Sequence, residues 1–146
     1  MFFDKIQFKK GITQIKFSEY GGEYGLKHND RPKDSFLKAL QGLALEVNDF
    51  LEFGFEDPFN ALRIETVEFS YKDGKKIQVS GLIIKKGKNR EEDLDGKFKT
   101  PKLFTEYLKG RSLSDIGLEI LSDLEREAQD YVRDRRAETH LLKETA

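Results

Sequence analysis

Basic residues crowd one stretch of this 146-residue chain: Lys72, Lys75, Lys76, Lys85, Lys86, Lys88, Arg90, Lys97 and Lys99, with Tyr71 and Phe98 close by. Cations at that density neutralise phosphates, and rings beside them offer faces on which bases stack, which together suit a sequence-tolerant binder of single-stranded nucleic acid. The binding residues expected on this ground are Lys75, Lys76, Lys85, Lys86, Lys88, Arg90, Lys97 and Lys99. A simpler account competes with it. Lysines on an exposed strand edge discourage pairing with other chains, and Glu91 to Asp95 partly neutralise the loop.

Other groupings lead less far. Residues 91–96 place carboxylates at positions 1, 3 and 5 and a glycine at position 6 of a calcium-type loop, but position 12, which must supply a bidentate carboxylate, is Lys102. A solvated acidic loop is expected there. His28 and Asp30 could form an acid–base pair, yet spacing marks no third group to orient them and no nucleophile, so His28 reads as a loop residue with a capping role. His140 has only Arg136, Lys143 and Glu144 within a turn and reads as surface. Gly21, Gly22 and Gly25 lack the spacing of a phosphate loop and read as a turn. Glu46, Asp49 and Glu52 recur at intervals of three without a histidine, as on a solvated helix face. No catalytic residue, metal site or cofactor is expected, and the protein is read as non-enzymatic.

Composition narrows the classes further. The chain has no cysteine, which removes disulfide scaffolds, thiolate metal sites and cysteine nucleophiles. Its longest apolar runs span a few residues and no basic region precedes an apolar one near Met1, so neither a membrane span nor a signal peptide is expected. The net charge of −1 conceals a split: residues 72–102 carry ten basic and five acidic side chains, and residues 33–70 carry three basic and eight acidic. Electrostatic arguments must therefore be local.

The elements that position these residues follow from periodicity. Ile6 and Phe8, then Ile15 and Phe17, alternate about a Lys10-Gly11 turn as a hairpin. Pro32 opens a helix whose apolar residues recur to Leu51 and which ends near Phe53-Gly54, with Asn29 to Arg31 as capping candidates; Gly42 inside it suits close packing against a strand. A second hairpin turns through Lys72-Asp73-Gly74. The register that keeps its apolar residues together sets Phe69 opposite Ile77 and Val67 opposite Val79. Extended, it sets Ile64 opposite Leu82 and Leu62 opposite Ile84 on the other face, so that the far end of the sheet is apolar on both sides and needs a cover. Residues 97–102 suit an edge strand. Ser112 with Asp115 resembles a capping box before a C-terminal helix whose stripe ends near Val132, while helix formers continue to about Lys143.

His28 ahead of Ser35-Phe36-Leu37-Lys38-Ala39-Leu40, then Val67-Glu68-Phe69-Ser70, Val79-Ser80-Gly81-Leu82 and Thr100-Pro101, together resemble a group of small uncharacterised bacteriophage and prophage proteins over roughly residues 1 to 105. The chain departs from that pattern in the charged insertion 88–95 and the long C-terminal helix. The resemblance implies a phage-encoded accessory protein in the cytosol of a bacterial host; it brings no catalytic residue with it.

The expected fold is α+β: a mainly antiparallel sheet of two hairpins plus an edge strand, one middle helix and one long C-terminal helix. Residues 1–146 form a single domain, a hairpin-helix-hairpin core over 1–110 followed by the helix over 111–146 with a frayed end. The expected function is nucleic-acid binding through the basic hairpin, in replication or recombination. The alternative is a protein-interaction module, meeting a second copy or a host protein through Leu62, Ile64, Leu82, Ile84, Tyr131 and Val132.

Overall fold

The computed structural model describes residues 1–85, 93–106 and 111–145, apart from the side chains of residues 85, 93–95 and 136–145. β1 (Phe2–Lys9) and β2 (Ile12–Glu19) form the first hairpin, turned by Lys10 and Gly11, both at positive φ as a two-residue hairpin loop requires. Tyr20 and Gly21 repeat the device and lead directly into β3 (Gly22–His28). The glycine-rich stretch expected to be a turn is thus mostly a third strand, and His28 ends it opposite Thr13.

The single middle helix expected from the periodicity is two: α1 (Asp34–Gly42) and α2 (Ala44–Phe50). The chain tightens at the join, where the Leu43 N–H donates to Leu40 O, three residues back. Pro32 lies ahead of α1 rather than opening it, and Lys33 occupies the N-cap with no side-chain cap bond. Gly42 does permit a close approach, but to a helix: a Cβ there would come within 3.1 Å of Ile120 Cγ2. The one-turn α3 (Pro58–Ala61) leads into β4 (Leu62–Ser70), β5 (Lys76–Lys85), β6 (Asp93–Lys99), β7 (Leu103–Phe104) and α4 (Asp115–Thr145).

The sheet is antiparallel in the order β3-β2-β1-β4-β5-β6, with β7 beside β5. One face carries the core. Phe3, Ile6, Ile15, Phe17, Val67, Ile77 and Val79 meet Phe36, Leu40, Leu43, Val47, Leu121, Leu124 and Val132 of the helices. The fold is α+β, with two meanders joined through β1 and β4.

Phe69 faces Ile77 and Val67 faces Val79, as the alternation demands. Past Thr66 a bulge at Glu65 shifts the register, so Ile64 faces Gly81 and Leu62 faces Ile83, not Leu82 and Ile84. The extra residue returns Leu62 and Ile64 to the face of Val67 and Phe69, and all four are buried. The sheet is therefore not apolar on both sides. Gly81 fits under the bulge because it has no Cβ, which would overlap Arg63 O.

α4 is helical from Asp115 to Thr145, about 46 Å long. Its N-cap is Ser114, whose Oγ accepts from the Gly117 N–H at 3.1 Å; Ser112 instead bridges to Phe104. Glu46, expected in solvent, is buried beneath this turn, where Oε2 accepts from the Ser114 N–H at 3.4 Å and Oε1 from its hydroxyl. A carboxylate suits the positive end of a helix. The edge strand expected over 97–102 is β6, which starts earlier, at Asp93, and stops before Pro101.

Candidate functional site

Alternation sends the polar residues of the strands to the face that the helices leave uncovered. The pairing register lines them up across the sheet. One row runs Lys27, Gln14, Gln7, Thr66, Ser80, Lys99 over all six long strands, with lysine at both ends and amide or hydroxyl groups between. The next runs Gly25, Lys16, Lys5, Glu68, Gln78. Beyond the first row stand Lys9 on β1, and Arg63, Leu82 and Lys97 on β4, β5 and β6. Among the described side chains, the acidic groups of these rows and their flanks are Asp4, Glu23 and Glu68, and Glu68 meets Lys99 at 3.6 Å. The balance is basic.

At the end of the face beyond Lys5, Phe2 lies opposite Ser18 and is 64% exposed. Its ring meets Tyr71 edge-on at 5.7 Å, and the Tyr71 hydroxyl donates to Phe3 O at 2.5 Å. Burial, with the charges of Glu125 and Asp4 adding to it, pushes the Tyr71 phenol up to about 12. An anchored aromatic pair thus borders the lysines.

Of the binding residues expected from sequence, Lys76, Lys97 and Lys99 stand on this face, and Lys76 Nζ lies over the Phe104 ring at 5.3 Å. Lys75 does not. It turns to the helix layer, where Nζ pairs with Glu125 Oε1 at 2.6 Å. Lys86, Lys88 and Arg90, the side chain of Lys85, and the calcium-type loop with its carboxylates lie outside the described residues. Phe98, offered as a stacking surface, is buried edge-on to Phe53 at 6.4 Å and presents no ring to this face. Lys5, Lys9, Lys16 and Lys27 escaped the sequence reading. Their signal is the polar half of the alternation in the first three strands.

The surface expected to meet a partner is also corrected. Leu62, Ile64, Tyr131 and Val132 are interior, while Leu82 and Ile84 are half-buried. Exposed large apolar and aromatic side chains lie elsewhere among the described residues: Phe2, Tyr20, Tyr24 and Tyr71 on the strands and their turns, and Leu45, Phe59 and Ile116 on the helices. Nor do His28 and Asp30 pair with each other. Asp30 accepts from the Tyr131 hydroxyl at 3.2 Å and from Arg135, and His28 stands edge-on to the Tyr131 ring at 6.5 Å. That cluster ties the end of β3 to α4. Among the described residues no three His, Cys, Asp or Glu side chains gather as a metal site, and no helix is long and apolar enough to cross a membrane.

One interruption marks the face. β1 pairs with β4 only from Lys5 to Gln7, and the bulge at Glu65 then parts the two strands. Gln41 of α1 fills in along the freed edge of β4: its Nε2 donates to Leu62 O at 2.6 Å and its Oε1 accepts from the Ile64 N–H at 3.1 Å, as a neighbouring strand would. Beside it an open notch of about 900 Å³ is lined by Phe8, Leu37, Leu40, Glu65 and Leu82, with Lys9, Lys97 and Lys99 at its basic margin.

Comparison of the chain with protein-family models, curated proteins and solved structures finds no match.

Proposed function

We propose that the protein is a non-enzymatic accessory protein of the bacteriophage kind that holds single-stranded nucleic acid across the helix-free face of its sheet, in replication or recombination in a bacterial host cytosol. The observation that carries this reading is the polar row from Lys27 to Lys99, which joins six strands at one level. Six strands span roughly 24 Å, room for about four nucleotides of an extended single strand. Lysines at the ends and in the adjoining row meet phosphates, amide and hydroxyl groups meet sugars and base edges, and Phe2 with Tyr71 offers a ring to a base.

The test is fluorescence anisotropy of labelled single-stranded and duplex oligonucleotides over a salt series. Affinity for the single strand is expected to fall steeply between 50 and 200 mM salt, and to fall about tenfold further in Lys5→Glu with Lys16→Glu. Reversal of Lys38, exposed on α1, is the control and leaves binding unchanged. Absence of binding at low salt overturns the reading and leaves the lysines as protection of the sheet against other chains.

A further inference from the structure

The notch between β1 and β4 holds a carboxylate that no described residue pairs with. Glu65 is 7% exposed, lines the cavity, and makes no hydrogen bond or ion pair to any described residue. The carboxylate oxygens themselves reach solvent through the notch, where water or a ligand supplies their hydrogen bonds. The bulge that aims it inward is the same one that parts the strands. The cavity lies within the size range of small-molecule sites.

We infer that this notch is a pocket for a guanine base, with Glu65 reading the base edge. This rests on the proposed binding of single strands across the same face. The chemistry selects the ligand in two steps. Lys9, Lys97 and Lys99 at the margin repel an ammonium ion but attract a phosphate, so the group that satisfies Glu65 must bring neutral N–H donors on a molecule that also carries negative charge. Both carboxylate oxygens can then accept, provided two donors stand side by side. Guanine presents N1–H and the 2-amino group next to one another. Cytosine and adenine set one amino group beside a ring nitrogen acceptor, and thymine flanks its N–H with two carbonyl oxygens that repel the carboxylate. Phe8, Leu37 and Leu82 supply apolar walls for the base, and the lysines receive the phosphate.

The experiment compares oligothymidine with the same strand carrying one internal guanine, one inosine or one adenine, and measures free GMP separately by calorimetry. The guanine strand is expected to bind on the order of tenfold more tightly than oligothymidine, the range of a bidentate base contact, with inosine, which keeps N1–H and lacks the amino group, in between. Glu65→Gln is expected to bring the guanine strand down to the level of oligothymidine measured with the same variant. If that variant fails to fold, the inosine strand on the unaltered protein tests the same contact. Equal affinity for every strand overturns the guanine pocket while the sheet-face reading survives. Failure of every strand with retention of GMP overturns the sheet-face reading and keeps the pocket; failure of both removes both.

Discussion

Tyr71 and Glu46 are the two polar side chains whose surroundings decide most. The Tyr71 phenol titrates near 10 in an unfolded chain and at about 12 in the fold. As pH rises from 10 to 12 the unfolded chain loses this proton first, so the contribution to stability is intact below pH 10 and lost as pH climbs through 12. Urea midpoints at pH 9 and pH 11 are expected to differ in the native sequence, and to differ less in Tyr71→Phe. That variant should also cost about 1 kcal/mol at neutral pH, through the hydrogen bond to Phe3 O. Glu46 is 5% exposed and holds the start of α4 through Ser114. Glu46→Ala leaves that turn's donors without their acceptor and should cost about 1–3 kcal/mol in urea denaturation. Gly117→Ala should also destabilise, since its Cβ would overlap Glu46 Oε1, and combining it with Glu46→Ala should recover part of the loss.

Between elements, the Gln41 amide substitutes for a strand. It donates to Phe59 O and Leu62 O and accepts from the Ile64 N–H, so a side chain from α1 occupies the β4 edge that β1 gives up. Gln41→Leu should cost about 2–3 kcal/mol, seen as a lower urea midpoint with an unchanged slope, because it strands part-buried backbone groups. Gln41→Glu keeps the acceptor for Ile64 and loses both donors, so it should be no milder. Sequence made the two hairpins legible, because Ile6 to Phe17 and Val67 to Val79 alternate cleanly about turns whose residues tolerate positive φ. It hid β3, where Gly22, Gly25 and charged neighbours blur the period of two. The bulge left a trace that extrapolating the register overlooks: apolar residues fall at even positions through Ile64 and at odd ones from Val67, a slip of phase that one extra residue at Glu65 repairs. The candidate interface was half legible. Lys97 and Lys99 stand in an obvious basic run, but Lys5, Lys16 and Lys27 reach the same face only through pairing of strands far apart in the chain.

At the scale of the whole molecule, charge is sorted by layer. The chain is slightly acidic, with an isoelectric point near 6.2, yet the open sheet face is basic, and Asp123, Glu125, Glu127 and Asp130 lie on α4 behind it. A polyanion therefore meets opposite fields on the two sides, and net charge predicts its behaviour poorly. At pH 8 a protein of uniform surface charge with this isoelectric point would pass through a phosphocellulose column; this one is expected to be retained at low salt. Four lysines engaged with phosphates give a slope of log affinity against log salt of about −3 for a single strand, so retention should vanish within a modest salt gradient. Lys5→Glu with Lys16→Glu removes two of those contacts and adds two repulsions, and it should flow through. Lys33→Glu with Lys38→Glu changes the net charge by the same amount on the helix side and should still be retained. If the two double variants behave alike, retention follows net charge and the basic face is not the cause; if only the first flows through, the layer of the sheet that the helices leave uncovered is where polyanions bind.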